Sequence, residues 1–129
     1  MVVDTSALFA ILVGESERRG FIDAIETAET RLMSTATFVE ISIVMEARHG
    51  AEGVRHLDEF IDRASIDMIP VDQEQAREAR RAFSRFGKGR HAARLNFGDC
   101  FAYALALVAG EALLFKGDDF THTDVQPAI

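Results

Sequence analysis

Met1-Val2-Val3-Asp4-Thr5-Ser6-Ala7-Leu8-Phe9-Ala10-Ile11-Leu12 opens the chain with an apolar, β-favouring run that stops at a carboxylate and passes directly into a helical pattern. Met1 to Val3 reads as a strand whose C-terminal end presents Asp4. Leu8, Ile11 and Leu12 then recur at helical spacing, and Gly14 ends that short helix. A strand feeding straight into a helix is the unit from which parallel sheets are built.

The same alternation continues downstream. Ser16 is a candidate cap for a helix with Phe21, Ile22, Ile25 and Ala28 on its apolar side. Arg31 to Met33 is a possible second strand. Ser34, Thr35 and Thr37 are candidate caps for a helix from about Ala36 to Arg48, stopped by His49-Gly50. Another helix is expected from Ala51 to about Ala64. Ile66 to Val71 alternates like a strand, with Pro70 limiting its pairing. Asp72 caps a helix from Gln73 to about Phe86. Phe97 to Ala109 is nearly all apolar, so a central buried helix is expected, closed by Gly110. Ala112 to Phe115 is a fourth strand, and the tail has room for a last short strand near Val125. These elements predict one α/β domain over residues 1–129. Its central parallel sheet has four to five strands, with helices on both faces.

Composition agrees with a folded domain that needs no covalent staples. Hydrophobic residues are 48% of the 129, and the single cysteine, Cys100, excludes an intramolecular disulfide. Cys100 itself reads as a small buried residue. None of the four histidines has a partner at zinc-like spacing. No apolar run reaches the roughly 18 residues of a membrane span. The N-terminus has no secretory pattern, so the cytoplasm is the expected compartment. The net charge of −7 argues against simple binding of a phosphate backbone. The charge is uneven, however: Arg77 to Arg94 holds seven basic residues against Glu78 alone. Such a strip is either a solvated helix face and loop or a guide for a polyanion.

Ligand sites in parallel α/β folds lie beyond the C-terminal ends of the strands. Asp4 ends the first strand, and Asp118 and Asp119 follow the fourth. Asp99 lies in the first turn of the buried helix, and Glu40 one turn into the helix after the second strand. All these carboxylates can converge at one edge of the sheet. Crowding them out of water is costly unless a cation balances them. Hard oxygen ligands suit Mg²⁺ or Mn²⁺. Thr5 and Ser6 can hydrogen-bond the carboxylates or a metal-bound water, or merely cap the first helix. Each acidic residue also has a plainer reading: Asp4 as a cap, Asp99 as helix-end charge, Asp118-Asp119 as a turn, Glu40 as a half-exposed side chain.

At these residues the chain resembles the PIN-domain ribonucleases, specifically VapC toxins of type II toxin–antitoxin modules. The matching stretches are Val2 to Leu8, Ser34 to Glu40, Leu95 to Ala104 and Leu114 to Phe120. The resemblance implies a PIN fold, a Mg²⁺-dependent site that cuts RNA, a homodimer and neutralisation by a small VapB-like antitoxin. By motif match, Asp4 and Asp99 become metal ligands, and Glu40 a further acidic member that holds metal-bound water or a second ion. Asp119 is favoured as the fourth acid, with Asp118 as a substitute. Cleavage would leave a 5′-phosphate and a 3′-hydroxyl. Arg80, Arg85, Lys88, Arg90, Arg94 and Lys116 are candidate RNA contacts. An antitoxin arginine could replace the cation in the pocket.

Two readings of another class compete: a receiver-like switch, and a PIN-like module that binds RNA or a partner without cutting. The first strand supplies Asp4 alone where a receiver needs paired acids, and Ile66 to Val71 ends at Asp72 without a clear pocket. A haloacid-dehalogenase-like phosphatase would want a second Asp where Ser6 stands.

Overall fold

The computed structural model describes residues 1–129 and has a four-stranded sheet in the order β3-β2-β1-β4. The strands are β1 (Val2–Val3), β2 (Leu32–Ser34), β3 (Asp67–Ile69) and β4 (Leu113–Leu114), and every pairing is parallel. Parallel neighbours cannot be joined by tight turns, so each connection crosses over through helix. β1 reaches β2 through α1 (Thr5–Val13) and α2 (Arg18–Thr27). β2 reaches β3 through α3 (Thr35–Ala64), and β3 reaches β4 through α4 (Gln73–Phe86) and α5 (Phe97–Ala109).

β1 is only two residues long, yet it sits between β2 and β4 and is wholly buried. Successive strand residues face opposite sides of a sheet. Val3 therefore joins Leu8, Ile11, Ile25, Ile41 and Leu57 in a core under α1, α2 and α3. Val2 joins Ala82, Phe86, Leu95, Tyr103 and Leu105 in a second core under α4 and α5. Leu114 and Leu113 divide between the two cores in the same way. Helices thus cover both faces, and all the β-strand termini of one sense lie along one edge.

Several local expectations are altered. The expected break at His49-Gly50 is present as a kink: Gly50 takes φ 63° and ψ −153°, so α3 is two helical segments that meet there, the second running to Ala64. A left-handed φ carries little penalty for glycine, so the chain bends without a loop. Ser16 does not cap α2; its hydroxyl donates to Glu17, which holds the cap position with no side-chain bond. β3 is confined to Asp67–Ile69 because Pro70 has no N–H to extend the ladder. The tail forms no strand near Val125; a single parallel bridge joins Pro127 to Leu113. α5 is not buried throughout, since Phe97 is 79% exposed. Asp72 caps α4 (Gln73–Phe86) through the Gln75 N–H, as expected from the sequence.

Candidate active site

β1 ends inside the sheet, and this places Asp4 where a carboxylate is seldom found. Its backbone N–H donates to Leu114 O at 3.0 Å, which continues the ladder one residue past the strand. Its side chain then caps α1. Ser6 donates to Asp4 Oδ2 twice, from the backbone N–H at 3.0 Å and from Oγ at 2.6 Å. Asp4 is 3% exposed, and Oδ1 is buried without a hydrogen-bond partner. Burial lifts its pKa from 3.8 to about 6; the Ser6 hydrogen bonds oppose the rise and the Glu40 charge adds to it.

Ser6 Oγ also accepts from the Lys116 backbone N–H at 2.9 Å, so it ties the end of β1 to the segment leaving β4. The Lys116 side chain points its ammonium at Glu15, 2.7 Å away, and Glu17, 3.2 Å away. That ammonium is occupied by the turn between α1 and α2.

Glu40 enters from the first turns of α3. Thr5 Oγ1 donates to its Oε1 at 2.5 Å. Its carboxylate lies against Gly98 so closely that a methyl group there would collide with both carboxylate oxygens, Oε1 falling 2.7 Å from the added carbon. Sequence patterns alone assign Gly98 no role. The available signal is a glycine in the first turn of a helix, where alanine is the better helix former.

Asp99 is the third helical residue of α5. Asn96 Oδ1 accepts from the Asp99 N–H and Asp99 Oδ2 accepts from the Asn96 N–H, both at 2.9 Å, closing a capping box. The candidate site residue Asp99 is therefore also a helix cap. Burial raises its pKa from 3.8 to about 7; the Asn96 N–H opposes this, and Asp4, Glu40 and Asp119 raise it further. The fourth acid enters from the 3₁₀ turn Asp119–His122, with Asp118 immediately before it.

Four carboxylates, from the beginnings of α1, α3, α5 and the 3₁₀ turn, thus feel one another at the strand-end edge of the sheet. No three His, Cys, Asp or Glu side chains are already gathered tightly enough to clamp an ion. The donor set still fits a hard divalent cation. It is all oxygen, its charges repel, and one buried oxygen of Asp4 lacks a donor. Cys100, next to Asp99, has its thiol pushed up to about 11 by burial and the Asp99 charge, so it is no nucleophile near neutral pH.

The basic candidates other than Lys116 lie on α4 and the loop after it, and Arg80 lines the cleft on the α4 side of Phe97. Arg80, Arg85, Lys88, Arg90 and Arg94 are all exposed. Arg85 lies 3.6 Å from Asp124 and stacks over Phe86, while Arg90 sits over Phe83. Beside the acids the surface is apolar: Val39, Ile43 and Phe97 are 54%, 61% and 79% exposed. Clefts of about 400 and 280 Å³ flank Phe97 on its α4 and α3 sides.

The PIN domain family matches residues 1–126. The chain is 51% identical over 125 residues to VapC ribonuclease Mb0640 of Mycobacterium bovis, covering 97% of this chain and 95% of that one. It is 52% identical over 125 residues to a ribonuclease VapC of Mycolicibacterium smegmatis, covering 97% of each. Among solved structures it resembles Mycobacterium tuberculosis VapC20, described as a sarcin-ricin loop cleaving toxin, with TM-score 0.72, 18% identity and 98% coverage of both chains. It also resembles VapBC2 from Rickettsia felis bound to a promoter DNA fragment, with TM-score 0.77, 10% identity and coverage of 98% and 94%. The chain belongs to the PIN-domain family and, within it, to the VapC ribonucleases.

Proposed function

We propose that the ribonuclease activity of this chain resides in Asp4, Glu40, Asp99 and Asp119 and requires Mg²⁺, with Mn²⁺ as a substitute. PIN-domain ribonucleases generally use a divalent metal. The observation that carries the assignment is Asp4: a carboxylate 3% exposed, beside other acids, with one oxygen left without a donor. An uncompensated buried charge of this kind is expensive unless a cation answers it.

Asp4 and Asp99 are the residues to hold the ion, with Glu40 and Asp119 completing the acidic set; Asp118 stands next to it as a substitute. Bound there, the ion supplies electrostatic stabilisation of the phosphate and lowers the pKa of water. Glu40 and Asp119 orient the attacking water. Attack forms a bond from the water oxygen to phosphorus and breaks the bond from phosphorus to the 3′-oxygen. The water proton passes to a carboxylate of the cluster, which returns it to the departing 3′-oxygen. The products are a 5′-phosphate and a 3′-hydroxyl. Arg80, Arg85, Lys88, Arg90 and Arg94 draw the RNA towards a pocket that otherwise repels it. Lys116 contributes less, because its ammonium is paired with Glu15 and Glu17.

The partner that fits this pocket is a VapB-like antitoxin presenting a basic side chain, since a guanidinium satisfies carboxylates as a cation does. The apolar face of Val39, Ile43 and Phe97 is the homodimer contact. The chain works as a single PIN domain over residues 1–129, in the cytoplasm; no helix in it is long and apolar enough to cross a membrane.

Mapping RNA ends after brief expression, with Asp4→Ala as control, tests the proposal. New 5′-phosphate ends are expected with the wild-type chain and not with the control. The same cut made in vitro by the wild type should vanish in EDTA and return with Mg²⁺. Cleavage that persists in EDTA or in Asp4→Ala would overturn the assignment.

A further inference from the structure

We propose that Thr5 is the positioning residue for Glu40, holding its carboxylate against Gly98 and so within the acidic cluster. This role rests on the acidic site proposed for the ribonuclease activity. Glu40 is itself only half-buried near the start of α3, so an outward rotamer leads to water. Like charges at Asp4 and Asp99 favour that outward rotamer, because repulsion falls as the carboxylate moves away. A glutamate also has side-chain freedom to lose on being held.

Two contacts oppose the swing. The Thr5 hydroxyl donates to Oε1 at 2.5 Å, linking residues 35 apart in the chain. The backbone of Gly98 forms the opposite wall, at a distance only a residue without Cβ permits. Thr5 directly follows Asp4, and Gly98 directly precedes Asp99. The residues that set the Glu40 rotamer are therefore the chain neighbours of the two acids it must face. Thr5 acts through Glu40 and need not touch substrate.

Thr5→Val keeps the shape and removes the donor, whereas Thr5→Ser keeps the hydroxyl. Gly98→Ala disturbs the other wall. Each is compared with wild type in Mn²⁺ binding by titration calorimetry without RNA, in kcat and KM on an RNA substrate, and in thermal unfolding. Thr5→Val should weaken Mn²⁺ binding and lower kcat by about 10- to 100-fold, the worth of one hydrogen bond to a charged group, with KM nearly constant. Thr5→Ser should recover most of the loss, and Gly98→Ala should reproduce it in a folded protein.

The proposal is overturned if Thr5→Val matches wild type in both ion binding and kcat, or if Thr5→Ser is as impaired as Thr5→Val. Should Thr5→Val not fold, Gly98→Ala carries the same test, and wild-type values there overturn it. If the wild type itself neither binds Mn²⁺ nor cuts RNA, the acidic site fails first and takes this inference with it.

Discussion

Ser6 gives both its backbone N–H and its hydroxyl to a single oxygen of Asp4, at 3.0 and 2.6 Å, and leaves the other oxygen buried with no donor. One half of the carboxylate is anchored and the other half is free to take a ligand. The anchor also fixes spacing between strands, because the same Ser6 hydroxyl accepts from the Lys116 N–H. Position, burial and unmet bonding capacity come from one short turn.

That arrangement has a pH signature. The folded pKa of Asp4, about 6, lies above its ordinary 3.8, so between these values the folded chain binds more protons than the unfolded chain. Stability without metal should therefore fall as pH rises from about 4 to about 6, by on the order of 3 kcal/mol from Asp4 alone. Asp99, raised to about 7, extends the decline towards neutrality. Urea unfolding in EDTA across this range measures it, and Asp4→Asn should flatten the slope. Added Mg²⁺ should restore stability at pH 7 by mass action. A metal-free stability that climbs over pH 4 to 6 would contradict the burial of a charged Asp4.

Asp99→Asn separates chemistry from folding. An asparagine oxygen can still accept from the Asn96 N–H, so the capping box survives. Cleavage should fall by at least about 100-fold, as for loss of a preorganised charge-stabilising group. The circular dichroism spectrum and melting temperature should hold or rise. Wild-type cleavage by this variant would remove Asp99 from the site.

The basic surface should behave differently at different positions. Replacing exposed Lys88 or Arg94 with alanine should weaken RNA binding and reduce the salt slope by about one for each phosphate left without its cation. Lys116→Ala should change the slope little, because its ammonium is paired with Glu15 and Glu17. Binding isotherms at several salt concentrations distinguish the cases. Equal slopes for all three variants would mean that the strip does not guide RNA.

The apolar face predicts an assembly. Ile43→Asp or Phe97→Glu puts charge on side chains that are 61% and 79% exposed in the single chain. The fold should tolerate either change, with stability altered by about 0.5 kcal/mol or less. The homodimer should not: burying the new charge opposes association. Analytical ultracentrifugation should find dimer for the wild type and monomer for the variants. A variant that remains dimeric would move the interface elsewhere.

The order of elements was legible because apolar periodicity survives as local pattern. Val2-Val3 before Asp4, the spacing of Phe21, Ile22, Ile25 and Ala28, and the apolar run from Phe97 all point to helices around a parallel sheet. Details set by neighbours were less legible. The break at Gly50 and the helix after it were read from local pattern, but that the two segments meet at a kink without a loop between them was not. The last strand near Val125 failed because the tail meets β4 only through one bridge at Pro127. Phe97 looked like core, since hydrophobicity does not say which end of an apolar helix lies beyond the sheet.

The sequence by itself determined which acids were available and that each followed a strand or opened a helix, because strand ends and helix caps are local properties of a few residues. Only the tertiary structure decided that Asp4, Glu40, Asp99 and Asp119 share one field, that Lys116 is taken by Glu15 and Glu17, and that Gly98 is the wall beside Glu40. Those facts depend on through-space distances between residues far apart in the chain. Such distances are fixed by the register of β1 against β2 and β4 and by the packing of the two cores.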